Sequence, residues 1–429
     1  MTSPEPKPDD AAQATQAAGH PVAVIFMELN RYIKARCLGA GRHMPIAVIT
    51  QNTNGIDFSD DDRISWGSST RLRPWMPDTS PTPDALTRAL HAALDSLRPR
   101  AVAVPGWSEP IALAALLWCA KRRVPAVVMT ESQERDAARS PLKEAIKARL
   151  IGLAAAALAG GAPQIDYCVK LGMPRRACFI GYDVVENAHF AHGAQHARNN
   201  ADAQRQRLGL PAHGYFLASA RLVERKNHLT LIDAFAQYRA RLTTLTHNST
   251  PAWDLVILGD GPMRPALEAR IQQHNLTDHV HLKGHTQYPD LPAFYGLAEA
   301  FVHPSRVEQW GLVVNEAMAA SLPLIVSEES GCAADLVAHG SNGFTFPANN
   351  TEALTARMLE IHQTPHAQRI TMGQTSAAMI APYTPELFGR NLLRAVEVAE
   401  ERNAAGVGSI TGRWIAAAML RARPVRAYE

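Results

Sequence analysis

Two glutamates, Glu308 and Glu316, flank the apolar Gly311-Leu312-Val313-Val314 within the run EQWGLVVNEAMAA. A carboxylate beside buried backbone is costly unless something pairs with it. Either the pair lies on a solvated face, or it meets a polar ligand in a cleft. The preceding EAFVHPS reads as strand and turn, with Pro304-Ser305 marking the exit. A helix starting near Gly311 then carries Val314, Met318 and Ser321 on one side, with Glu316 in its early turns and Glu308 in the loop before it. The N–H groups around Gly311, Leu312 and Val313 form an anion site that the helix dipole reinforces. Carboxylates flanking that site accept hydrogen bonds from hydroxyls, which suits a sugar joined to a diphosphate. The alternative is a pair of glutamates that cap and solvate a helix.

Two cations occupy a similar position earlier in the chain. YFLASA reads as a strand leading to Arg221, and Lys226 lies just before the helical pattern NHLTLIDAFAQYRARL. Permanent cations at a strand end beside a helix start make a phosphate site, or else a solvated helix-start loop. WDLVILGDGPMRPALEAR is strand, Gly259-Asp260-Gly261, then helix, but Arg264 stands where a dinucleotide fingerprint needs its third glycine. The next strand, HVHLKG, offers no acidic residue for a ribose, so a dinucleotide oxidoreductase is disfavoured. The glycines more simply let the backbone approach a ligand or a neighbouring helix.

Other signals carry less. Asp60-Asp61-Asp62 satisfies a D-x-D pattern but sits in a Gly/Ser/Asp-rich turn. His189, His192 and His196 have helical spacing without a supporting carboxylate or cysteine pattern, so no metal site is expected. Lys143, Lys147 and Arg149, with Arg413, Trp414, Arg421, Arg423 and Arg426, form basic, partly amphipathic stretches. Those stretches fit either a peripheral membrane contact or a closing helix packed on the first domain.

The elements that must position these residues alternate. PVAVIFM, MPIAVIT, RAVAVPG, VPAVVMT, LAAAALAGG and ACFIGYDV read as strands, separated by amphipathic stretches such as TPDALTRALHAALDSL and PLKEAIKARLIG. After a polar stretch at 186–212 the rhythm restarts with YFLASA, WDLVILG, HVHLKG, EAFVHP, LPLIVS and GFTFP, and long helical patterns follow at 365–380 and 385–402. The expected class is α/β, with two Rossmann-like, doubly wound parallel-sheet domains facing a central cleft. The expected boundaries are a disordered tail at 1–20, an N-terminal domain with linker at 21–205, a second domain at 211–385, and helices at 386–429.

Composition narrows the function classes. The 429 residues are 46% hydrophobic and 19% charged, as in a soluble globular protein, and exceed one ordinary core. A net charge of +3 without a dense basic stripe argues against a nucleic-acid binder. Cys37, Cys119, Cys168, Cys178 and Cys332 are scattered, never in a C-x-x-C pair, which suits a reduced compartment. The opening MTSPEPKPDDAAQATQAAGH lacks a signal-peptide pattern, and the nearly apolar 150–162 is too short to span a bilayer. The expectation is a cytoplasmic protein, either free or peripheral on the inner face of a membrane.

Taken in order, ASARLVERKN, LVILGDGP, LKGH, FVHPSRVEQWGLVVNEAMAASLPLIVS and GCAADLVAHGSNGF resemble the retaining glycosyltransferases of family 4, which have the GT-B fold. Two glutamates separated by seven residues, here Glu308 and Glu316, are that family's signature. The resemblance implies that Arg221 and Lys226 hold the donor diphosphate, Glu308 the sugar hydroxyls and Glu316 the nucleotide ribose. It also implies that the amides of Gly311, Leu312 and Val313 meet the sugar or distal phosphate, and that Gly284 lies near the base. The activity implied is transfer of a sugar from a nucleotide-diphosphate sugar to a glycan or lipid-linked acceptor, without metal or cofactor, in surface polysaccharide or glycolipid assembly. The rival is a catalytically silent nucleotide-sugar-binding subunit. The first half departs from the family: ELNRYIKAR and MTESQERDAAR replace its glycine-rich loop and histidine. There Glu131, Asp136 and Arg139 either line an acceptor pocket or form a solvated loop.

Overall fold

The structure is a computed structural model that describes residues 19–52, 82–245, 251–404 and 410–422. Most of the expected tail, the Asp60-Asp61-Asp62 loop, Arg423 and Arg426 lie outside the described residues. The chain divides into two compact units, Met1–Val184 with Pro385–Glu429, and Val185–Thr384.

The first unit is built on six parallel strands: β1 (Val22–Glu28), β2 (Ile46–Asn52), β3 (Ala101–Pro105), β4 (Ala126–Thr130), β5 (Ala156–Ala159) and β6 (Cys178–Ile180). Their order is β2-β1-β3-β4-β5-β6. Short runs of Val, Ile and Ala form these strands because helices cover both faces of a parallel sheet, leaving no polar side to alternate with. The helix Pro83–Leu97 illustrates the local code. Thr82 caps it, proline opens it, and Leu86, Leu90 and Leu94 form its buried stripe. The late helix Pro385–Ala404 belongs to this unit and crosses the helix Arg31–Gly41 glycine to glycine. A Cβ on Gly389 would stand 2.4 Å from the carbonyl oxygen of Gly39, so only a bare backbone permits the approach. The helix Ile410–Ala422 docks through Gly412, where a Cβ would meet the Arg149 carbonyl oxygen at 2.4 Å.

The second unit repeats the plan with β7 (Tyr215–Ser219), β8 (Asp254–Leu258), β9 (Val280–Gly284), β10 (Ala300–His303), β11 (Leu324–Ser327) and β12 (Gly343–Phe346), all parallel. The order β12-β11-β10-β7-β8-β9 reverses direction between β7 and β10. Both sheets are doubly wound, as the sequence pattern implies.

The unit begins earlier than expected. Residues 186–212, read as a polar interdomain stretch, contain the helices Asn187–Asn199 and Ala201–Leu208, and both lie in the second unit. Phe190, Ala194 and Ala197 form a buried stripe on the first of them. The helix sits against Leu291–Gly296 at a distance only glycines allow, since a Cβ on Gly296 would lie 2.5 Å from the Ala194 carbonyl oxygen. Histidine, asparagine and glutamine on the other faces dilute this narrow stripe, so composition alone suggests a linker.

Candidate functional site

In an open parallel sheet, ligands bind beyond the carboxyl ends of the strands where the order reverses. In the second unit that point lies between β7 and β10, and both chemical motifs emerge there. Beyond β7 come Arg221 and the tight turn Glu224–Lys226, and beyond β10 comes the loop to Glu308. Asn227 fastens the two loops together. It adopts a left-handed conformation (φ 62°), its amide donates to the carbonyls of Pro304 (3.0 Å) and Ala348 (2.9 Å), and its Oδ1 accepts from Thr230. The backbone N–H of Arg306 donates to the Arg225 carbonyl at 2.8 Å.

These ties bring Lys226 and Glu308 into an ion pair, with both side chains largely buried. Ser305 Oγ donates to Glu308 Oε2 at 3.3 Å, His303 Nε2 lies 3.3 Å from the same oxygen, and an Arg225 Nη atom stands 3.9 Å from Oε1. Burial alone would raise the Glu308 carboxyl, but His303 and the Lys226 ammonium outweigh it and hold the acid well below the usual carboxylate range. His303, itself buried, is held below the ordinary imidazole value by desolvation. The site therefore presents an ionised carboxylate beside Lys226 at neutral pH.

Gly311 (φ 109°) opens the helix Leu312–Ala319. A Cβ there would meet His303 Nε2 at 3.3 Å and Glu308 Cγ at 3.4 Å, so the glycine permits both the turn and the packing beneath it. With glycine as N-cap, no side chain covers the first turn of the helix. Glu316, in the second turn, is 1% exposed and accepts from the Tyr295 hydroxyl at 2.6 Å. Neither glutamate is solvated, which removes the surface-cap alternative. Each has a protein partner: Lys226 for Glu308, and Tyr295 for Glu316.

Arg221 is exposed, and among the described residues it has no carboxylate partner. Its loop is shaped by the glycines of β8's exit. Leu222 N donates to the Asp260 carbonyl and Met263 N to the Leu222 carbonyl, both at 2.9 Å. A Cβ on Gly259 (φ 112°) would lie 2.0 Å from the Ala220 oxygen, and one on Gly261 2.6 Å from the Leu222 oxygen. These two glycines thus serve the approach of two loops, the structural half of what the sequence left open. Gly284 (φ 73°) accepts from Gly259 N through its carbonyl at 2.8 Å.

Elsewhere the singled-out residues take local roles. His189 stacks on Tyr288 with ring centroids 4.3 Å apart. In the first unit, Arg139 donates to the carbonyls of Gln133 and Glu134 and to the Tyr167 hydroxyl, and Asp136 accepts from Gln133 N, so both residues build the loop after β4. Glu131 is half-buried at the start of that loop. The sequence reading missed Asn227, His303 and Tyr295, and it also missed His228. Of these, only Asn227 left a sequence signal, being a residue that tolerates the left-handed region directly before a helical pattern.

His228 is 3% exposed, and neither of its ring nitrogens has a hydrogen-bond partner among the described residues. Burial, with help from His303 and Lys226, pushes it from 6.5 down to about 3. An unfolded chain takes up this proton near the ordinary value and the folded one does not, so stability falls as pH drops through that window. Glu308 works in the same direction lower down, its contribution being lost as pH falls below the ordinary 4.5 toward its depressed value. Acidification from neutral to about pH 5 is expected to remove about 2 kcal/mol through His228. Urea midpoints at both pH values measure this, and His228→Leu should flatten the dependence. An unchanged slope would remove His228 as the cause.

Residues 200–396 match the family model described as Glycosyl transferases group 1. Over 172 residues the chain is 28% identical to an alpha-monoglucosyldiacylglycerol synthase of Acholeplasma laidlawii, covering 40% of each chain. It is 30% identical over 164 residues to a GDP-mannose-dependent alpha-(1-6)-phosphatidylinositol monomannoside mannosyltransferase of Mycobacterium tuberculosis, covering 37% of this chain and 40% of the other. The matches thus span less than half the length of these curated relatives. In structure it is similar to Anabaena HepE in complex with UDP and glucose, with a TM-score of 0.66 at 15% identity, over 88% of this chain and 99% of that one. The likeness shows a shared fold, GT-B.

Proposed function

We propose that the chain, whose residues 200–396 match the family model described as Glycosyl transferases group 1, is a retaining, metal-independent transferase of sugar from a nucleotide-diphosphate donor. The convergence of Lys226, Glu308, Arg221 and the start of the helix Leu312–Ala319 at one topological switch point carries this reading. Breaking the bond between the anomeric carbon and the phosphate oxygen leaves negative charge on the diphosphate and positive charge on the sugar ring. Lys226, Arg221 and the amides of Gly311, Leu312 and Val313 stabilise the former. Glu308, kept ionised, accepts hydrogen bonds from sugar hydroxyls and offsets the latter, while Glu316 serves the ribose. The acceptor hydroxyl attacks the anomeric carbon from the face the diphosphate leaves, and its proton passes to the departing phosphate oxygen. That stereochemistry rests on the family resemblance.

A lipid-linked acceptor is favoured by the names of the two relatives and by one surface of the first unit. No described helix is long and apolar enough to cross a membrane. Ile410 and Trp414, one turn apart, are 73% and 76% exposed, on a helix that packs against Pro141–Ile151, where Leu142 is 71% exposed. Exposed cations lie on the same two helices: Lys143 and Arg149 on Pro141–Ile151, Arg413 and Arg421 on Ile410–Ala422. Exposed apolar and basic side chains on a pair of packed helices suit an anionic lipid surface.

The test is a panel of UDP-, GDP-, ADP- and dTDP-sugars with EDTA present, read by thermal stabilisation and by nucleotide release in the presence of phosphatidylglycerol vesicles carrying lipid acceptors. One donor should stabilise the protein and release its nucleotide, and Trp414→Ser should weaken vesicle sedimentation. Stabilisation without release by any acceptor would favour the silent-subunit alternative. No response to any donor in a folded protein would overturn the reading.

A further inference from the structure

A cavity of about 470 Å³ lies at the opposite edge of the second sheet from the site described above. Its walls include Ala298 and Glu299, just before β10, and Ser321, Leu322 and Pro323, just before β11, so it opens at the amino ends of the strands. Three arginines line it, Arg198, Arg205 and Arg369, against a single acidic residue, Glu299.

The charges do not balance. Arg369 holds Glu299 at 2.9 Å, donates to the Thr364 carbonyl and stacks over Trp253 at 4.8 Å, and its Nε is buried without a partner among the described residues. Arg198 donates to the Ala320 carbonyl, and Arg205 to the carbonyls of Pro211, His213 and Leu297. Among the described residues neither Arg198 nor Arg205 has a carboxylate partner. Backbone carbonyls satisfy some of their N–H groups but carry no net charge. Buried or half-buried cations are ordinarily paired, and an excess of two positive charges facing one cavity calls for a counter-anion. Arg198 is desolvated enough to lie below the ordinary arginine value, which a bound anion would reverse. Guanidinium groups, with donors in a planar fork, match phosphate oxygens.

We propose that this cavity binds a dianionic phosphate group, free or as a monoester, at a site separate from the nucleotide-sugar pocket. Leu297, Leu322 and Ile370 give the cavity an apolar wall that would take the organic part of a monoester. The proposal does not rest on the transferase reading, because the cavity shares no residue with that site.

Calorimetric titration of the full chain with inorganic phosphate, and in parallel with glycerol 3-phosphate, tests it. Ile370 is 48% exposed, so Ile370→Glu brings a carboxylate to the cavity without disturbing the core. Binding should weaken at least about tenfold in Ile370→Glu and in Arg205→Gln, persist in Ile370→Gln, and persist in Arg221→Ala. The tighter of the two ligands names the source of the phosphate. Binding lost in Arg221→Ala but indifferent to Ile370→Glu and Arg205→Gln would place the phosphate in the donor pocket and overturn the proposal. No binding at millimolar concentrations of either ligand would also overturn it.

Discussion

Lys226→Met is expected to lower kcat/KM for the nucleotide-sugar donor by about 10²–10³-fold, the loss typical of removing one preorganised donor from a developing oxyanion. A second loss should accompany it. Glu308 is 8% exposed, and without its cation it becomes a buried, incompletely compensated carboxylate. Breaking such a pair from one side typically costs about 3–5 kcal/mol of stability. The stability effect is isolated in the double variant Lys226→Met/Glu308→Gln, which removes the unpaired charge. Urea unfolding should show stability largely restored, whereas steady-state kinetics should show no recovery of kcat/KM. Recovery of activity together with stability would mean that Lys226 only holds the fold. Lys226→Arg keeps the charge but replaces a compact ammonium with a planar fork, and should retain stability better than activity.

Gly259→Ala is expected to destabilise the second unit by about 3–4 kcal/mol and to weaken donor binding with it. Two costs coincide at this position: a left-handed backbone (φ 112°) and a Cβ placed 2.0 Å from the Ala220 carbonyl oxygen. Relief requires the Ala220–Leu222 loop to move, and that loop carries Arg221. Gly284→Ala is the control. It shares the positive φ, at 73°, but its Cβ would find nothing nearer than Arg264 at 3.9 Å, so it should cost only about 1 kcal/mol. Denaturation midpoints and nucleotide affinity measured on the pair distinguish backbone strain from loop overlap. Equal losses in the two variants would show that overlap with Ala220 plays no part.

The same loops show why some features could be read before the structure and others could not. Strands such as PVAVIFM and WDLVILG, and the helix spacing after Gly311, follow from short-range preferences, and the observed elements Val22–Glu28, Asp254–Leu258 and Leu312–Ala319 lie where those patterns predict them. The helix Asn187–Asn199 escaped because its buried face is three residues wide and its other faces are polar. Its place in the second unit depends on a glycine contact with a helix about a hundred residues away, which no local window contains.

The α/β alternation, the residue types at the site and the spacing of Glu308 and Glu316 are local properties, each encoded within a few turns or one strand. What these residues meet depends on long-range packing. Strand order brings the exits of β7 and β10 side by side, and so joins Lys226 to Glu308 across 82 positions. The same packing encloses His303 beside that pair and sets Tyr295 against Glu316. Partners of this kind are chosen by which strands are neighbours and which faces are buried, and those are properties of the whole unit rather than of any stretch of chain.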